Sequence, residues 1–125
     1  MPKEHFLLNR LRSFRFAFRG AWLLIRHEPS VQVQFAIAVI VTIAGLLFDI
    51  TRTEWLFQWL AIGLVMGVEG VNTAVEKIAD FIHPDYHVKI GLIKDVSAGA
   101  VTFAAIAAAI MGFIIYVPYF IALFV

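Results

Sequence analysis

Cysteine is absent from the 125 residues, which excludes disulfides and thiolate metal sites. Charge is nearly as scarce: Asp, Glu, Lys and Arg make up 15% of the chain, too little to cover a water-soluble globule of this length. The usual glycine-rich phosphate loop, the Gly-x-Ser-x-Gly elbow and the His-Glu-x-x-His zinc motif do not occur, so their chemistries are excluded as well. Internal repeats and low-complexity tracts are also missing. What the chain has instead is apolar side chains, 62% from the set AVILMFWYC, against roughly 45–50% in a soluble domain even with glycine counted. Mean hydropathy is +0.87. Length allows one domain, residues 1–125, and its solvent is the bilayer.

Charge-free runs mark three membrane helices. Pro29 to Phe48 supplies twenty residues, just enough to cross a hydrocarbon core of ~30 Å. A second run starts at Trp55 and stays uncharged through Val68, after which Glu69, Glu76, Lys77 and Asp80 enter what still reads as helix. The third, Val96 to Val125, has no charge, and Pro118 is expected to kink or fray its last turns. The expected spans are about 30–48, 55–82 and 94–122.

Lys3, Arg10, Arg12, Arg15, Arg19 and Arg26 precede the first span, Arg52 alone lies in the first loop, and Lys77, Lys89 and Lys94 flank the second. The excess of basic residues predicts that the N-terminus and second loop face the cytoplasm, and the expected location is the inner, cytoplasmic membrane. Within 5–27, Leu7, Leu11, Phe14, Phe18, Trp22 and Ile25 recur every three or four residues while arginines keep a second stripe. That pattern predicts an amphipathic helix on the anionic leaflet, either as an anchor alone or also as the cover of a site. The expected fold is therefore an all-α integral membrane protein, three transmembrane helices preceded by a surface helix. Ala100, Ala104, Ala108 and Gly112, and likewise Gly63 and Gly67, are spaced for close helix approach, which points towards an oligomer.

Glu69, Asn72, Glu76 and Asp80 are separated by three, four and four residues and so share one helical face. Ionisable groups at membrane depth are costly and mark function by default; an ion pair with Lys94 or a register-fixing ladder are the plain alternatives. Carboxylates this close repel unless a cation joins them. Magnesium suits the set, since it takes oxygen ligands from one or two carboxylates plus substrate phosphates. Lys94 would then supply the charge complementary to a phosphate, and Asp95 would orient it or accept a nucleotide hydroxyl. His83, Pro84, Asp85, Tyr86 and His87 form a polar turn, either a solvated loop or one that touches nucleotide. A zinc set of Asp80, His83 and His87 is disfavoured, because Pro84 breaks the helix that would align them.

The stretch Glu69-Gly-Val-Asn-Thr-Ala-Val-Glu76, followed by Asp80, His87 and Lys94-Asp-Val-Ser-Ala-Gly-Ala-Val101, closely resembles the signature of the prokaryotic diacylglycerol kinase family, which includes undecaprenol kinases. Ser13-Phe14, Ala17, Gly20 and Glu28 also fall where that family has a serine-aromatic pair, a small residue, a glycine and a glutamate. The resemblance implies a homotrimer that moves the γ-phosphoryl of ATP to a lipid hydroxyl, with sites shared between subunits. By the same resemblance Glu69 is the base, with Asn72 beside it, and Glu28 and Glu76 hold Mg²⁺ on ATP. Lys94, Asp95, Asp85, Tyr86 and His87 are nucleotide contacts, with acidic Asp80 nearby. Where many relatives have Glu-Arg-Asn and then an Arg and a His, this chain reads Glu28-Pro-Ser-Val-Gln-Val-Gln34, so Ser30, Gln32 and Gln34 lie on the expected approach to the lipid. Phe16 stands where some relatives have a nucleotide-touching tyrosine.

Undecaprenol and diacylglycerol both stand as acceptors, with a slight lean to undecaprenol. Two other classes compete: a proton-coupled transporter or channel subunit using the carboxylates as a relay, and a small structural membrane protein.

Overall fold

In the computed structural model, which describes residues 3–125 with side chains from residue 5 onward, four helices follow one another: α1 Lys3–His27, α2 Pro29–Phe48, α3 Arg52–Ile82 and α4 Val88–Leu123. Helices α2, α3 and α4 are each long and apolar enough to cross a membrane, which makes this an all-α, multi-pass membrane protein. Most large hydrophobic residues of α1 are exposed, Leu11 and Phe14 among them, whereas Leu24 and Ile25 near its end are half-buried. Arg10 lies 5.1 Å above the Phe6 ring, a cation–π contact one turn along the helix.

Each boundary has a local cause. Pro29 opens α2 because its missing N–H costs nothing at the first helical position. The same proline pushes Glu28 to an extended conformation, φ −103° and ψ 111°, which breaks α1 from α2. Asp49 ends α2 in the left-handed region at φ 52°, one of the few residue types that tolerates it. Only Asp49, Ile50 and Thr51 separate α2 from α3, a shorter loop than the charge pattern implied. Thr51 and Glu54 form a capping box that starts α3 three residues before the apolar run. α4 likewise begins six residues before Lys94, because His87 Nδ1 accepts the Lys89 N–H at 3.1 Å and caps it. Pro118 does not end α4, which continues to Leu123, since removal of one hydrogen bond leaves the rungs on either side intact.

At about 46 Å and 54 Å, α3 and α4 are longer than the hydrocarbon is thick. They pack on each other more extensively than any other pair, with Ala104 buried on α4. Gly45 lets α2 and α3 approach closely, because a Cβ there would sit 2.7 Å from the Trp55 ring. Deeper in, one polar node ties all three spans. The Tyr116 hydroxyl of α4 reaches the Val41 carbonyl oxygen of α2 at 2.7 Å and Gln58 Oε1 of α3, while Gln58 Nε2 donates to the same carbonyl at 3.1 Å. Beside it the Tyr119 hydroxyl donates to Glu54, and Phe48 packs against Tyr116, Tyr119 and Phe120. An apolar cavity of about 600 Å³ lies between the spans, from Gln34 at one end to Gln58 and Tyr116 at the other.

Candidate active site

Chain reversal at Asp49–Thr51 brings the start of α2 and the end of α3 to one end of the bundle, and the turn at His83–His87 adds the start of α4. The candidate site residues Glu28, Ser30, Gln32 and Gln34, Glu69 to Asp80, Asp85 to His87, and Lys94 and Asp95 lie on the start of α2, the C-terminal half of α3, the turn and the start of α4. Two interhelical ion pairs join them: Lys94 Nζ to Asp80 Oδ1 at 2.6 Å, and Lys77 Nζ to Glu28 Oε1 at 3.5 Å. The first is the Lys94 pair that the sequence offered as a plain alternative. The second was not foreseen.

Along α3 the polar face divides by depth. Glu69, Asn72 and Thr73 are buried, at 6%, 8% and 7% exposure, while Glu76 and Asp80 are open towards the end of the helix. Neither ion pair of the described residues includes Glu69 or Glu76. Asn72 Oδ1 is buried without a hydrogen-bond partner. An amide oxygen orphaned in this way costs on the order of 1–3 kcal/mol, a penalty that a bound donor would relieve.

Glu28 is the N-cap of α2, yet its side chain makes no capping bond and turns to Lys77 instead. Gln32 reaches back to the Arg26 carbonyl at 3.0 Å, satisfying an acceptor left open by the end of α1. Ser30 is exposed, and Gln34 faces the apolar cavity with a buried amide oxygen that has no partner. Of the three residues expected near the lipid, one therefore stitches α1 to α2 and one presents an unanswered acceptor to an apolar space.

In the turn, Asp85, Tyr86 and His87 are exposed, with the Tyr86 ring standing over Gly91. His83 Nδ1–H donates to the Asp85 carbonyl at 2.6 Å, and His87 Nδ1 is committed to the α4 cap. The His83 and His87 rings meet edge to face at 5.3 Å, but Asp80 is held by Lys94, and no group of three His, Asp or Glu able to hold a metal exists among the described residues. Asp95, one residue beyond Lys94 on α4, is exposed.

Magnesium demands less than such a group, since one or two carboxylates with phosphate oxygens suffice. The donor set fits it: Glu76 and Glu28 carry carboxylate oxygens at the same end of the bundle, and the orphaned Asn72 oxygen lies one turn from Glu76. Between α1 and α3 a second cavity, about 400 Å³, is lined by His27, Glu28, Thr73 and Lys77 among others. Gly70 permits α1 to approach here, because a Cβ would meet Leu24 Cδ1 at 2.9 Å.

Sequence reasoning gave no site or packing role to Thr73, Lys77, Gln58, Tyr116, Glu54 and Tyr119. Gln58 carried a visible signal, an amide in an otherwise apolar run, but a search for charge does not register it.

The sequence profile of the family described as prokaryotic diacylglycerol kinase matches residues 15–116. An undecaprenol kinase of Bacillus subtilis is 38% identical over 112 residues, which cover 89% of this chain and 91% of that one. A diacylglycerol kinase of Synechocystis is 33% identical over 88% of this chain and 63% of its own length. A diacylglycerol kinase of Escherichia coli is 28% identical over 74% of this chain and 73% of its own. All three names are those of lipid kinases, and none favours the transporter alternative.

Proposed function

The chain belongs to the prokaryotic diacylglycerol kinase family and is a lipid kinase, and from that premise we propose that it moves the γ-phosphoryl group of ATP to the hydroxyl of undecaprenol at the cytoplasmic face of the inner membrane. The observation that carries the proposal is the pairing of a buried, cation-free carboxylate, Glu69, with exposed acidic and basic side chains one to three turns further along the same end. A lipid hydroxyl meets the buried part, and a water-soluble nucleotide meets the exposed part.

In this reading Glu69 accepts the hydroxyl proton as the oxygen attacks the γ-phosphorus, and Asn72 orients the reacting groups with its unpartnered oxygen. Lys94 leaves Asp80 to neutralise charge on the transferring group. Asp95, Asp85, Tyr86 and His87 hold the nucleotide, and Glu28 and Glu76 would hold Mg²⁺. When bound, that ion supplies charge neutralisation on the phosphates. Positioning and electrostatics contribute most of the rate, as in phosphoryl transfer generally.

Undecaprenol is preferred to diacylglycerol because the similarity to a protein named for it is higher in identity and covers more of both chains. The orphaned Gln34 oxygen at the mouth of the apolar cavity supports a lipid alcohol arriving along α2. Glu76 and Gly67 stand open on α3, which supports a homotrimer in which a neighbouring subunit completes each site.

The test is incubation of purified protein in micelles with Mg²⁺, labelled ATP and either lipid, with products resolved by chromatography. Undecaprenyl phosphate should form faster than phosphatidic acid, and chelation of the metal should stop both. A faster diacylglycerol reaction would reverse the choice of acceptor, and ion flux with no phosphorylated lipid would overturn the kinase mechanism.

A further inference from the structure

We infer that Lys77 is a positioning residue that competes with the divalent cation for Glu28, so that this chain holds one of its two proposed metal ligands out of place until the ion and nucleotide arrive. The inference rests on the proposed role of Glu28 as a metal ligand.

Three observations carry it. The Glu28 carboxylate is mostly buried, with its side chain 25% exposed, and lies 3.5 Å from Lys77 Nζ, its one ion-pair partner among the described residues. Glu28 occupies the N-cap of α2, where a carboxylate normally accepts backbone N–H groups of the first turn, yet it makes no such bond. Its orientation is therefore set by Lys77 rather than by the helix that it starts.

The third observation is angular. Lys77 follows Glu76 directly, so the two side chains leave α3 about 100° apart. Bound to Lys77, Glu28 is drawn to the flank of α3 rather than to the face that Glu69, Asn72 and Glu76 share. To reach an ion held by Glu76 it must leave Lys77. The cavity of about 400 Å³ that Glu28 and Lys77 both line leaves the pair loosely packed on the side that faces α1. Lys77 is 72% exposed on its side chain, so once released it is solvated at little cost. An exposed cation and a mostly buried anion make an ion pair that is easily exchanged for a stronger, divalent partner.

The test measures binding rather than turnover. Purified protein in micelles is titrated into the Mn²⁺ complex of a non-hydrolysable ATP analogue, and loss of the free-ion electron paramagnetic resonance signal gives the apparent Kd. Lys77→Met should tighten binding about twofold to fivefold, the range that a partly exposed ion pair is worth. Lys77→Arg should restore the original affinity. Glu28→Gln should weaken binding, and Lys77→Met added to Glu28→Gln should then change nothing. An unchanged Kd in Lys77→Met with weakened binding in Glu28→Gln would overturn the inference and leave Glu28 as a ligand. Tightening of equal size in the Glu28→Gln background would overturn it too, because Lys77 would then act as a general charge. No effect of Glu28→Gln on its own would remove Glu28 from the metal site altogether.

Discussion

Among single residues, burial separates the carboxylates more sharply than spacing does. Glu69 and Glu76 lie on the same stripe, but at 6% exposure only the first is removed from water. Withdrawal from water suits a group that takes a proton from a lipid, whereas an exposed carboxylate suits an ion that arrives with a nucleotide. Replacement of Glu69 by Gln should lower kcat by about 10²–10⁴-fold, the usual contribution of a general base, while binding of the Mg²⁺–nucleotide complex is retained. Kinetics in micelles with a parallel nucleotide-binding titration checks this, and undiminished lipid phosphorylation would remove Glu69 from the role of base. The stripe itself was legible, because helical spacing is a local property. The pairing of Glu28 with Lys77 was not, since 49 positions separate them and the choice between two neighbouring residues, Glu76 and Lys77, depends on the rotation of α3 against α1.

Pairs of helices show where local sequence ceases to determine structure. The three spans follow from charge-free runs, but the caps at Thr51 and His87 lengthen α3 and α4 beyond those runs, since a helix does not stop at the edge of the hydrocarbon. How the spans dock is fixed by contacts far apart in sequence, above all Tyr116 with Val41 and Gln58. These residues carry no charge and form no motif, so periodicity cannot single them out. Tyr116→Phe leaves the ring but removes the hydroxyl from two acceptors. Polar contacts between membrane helices contribute about 0.6 kcal/mol on average and up to about 1.7, and this variant should lose an amount in that range. Reversible unfolding in mixed micelles measures it. Lipid phosphorylation by the folded variant should be close to that of the parent, because Gln58 lies about three helical turns from Glu69 along α3 and Tyr116 about six turns from Lys94 along α4.

For the whole molecule, three spanning helices enclose little, and much of the stripe that would form a site remains open. Gly63 and Gly67 have nothing within 4 Å of where a Cβ would be, so within one chain these positions are free to accept larger side chains. Replacing both with Leu should therefore preserve helix content and subunit folding. If the proposed homotrimer packs on this face, the same change should shift the detergent-corrected mass from light scattering towards a single subunit and reduce kinase activity with it. Retention of the full assembly would place the interface elsewhere. Sequence spacing pointed to these glycines as a packing surface, and their exposure in the single chain is consistent with a partner from outside it.

The node at Val41 also sets a register. Its acceptors come from α2 and α3, whereas its hydroxyl is contributed near the end of α4. Tyr116 lies 22 residues beyond Lys94 on the same helix. Fixing the hydroxyl against Val41 and Gln58 therefore fixes how far α4 is slid along α3, and with it the level at which Lys94 meets Asp80 at the other end.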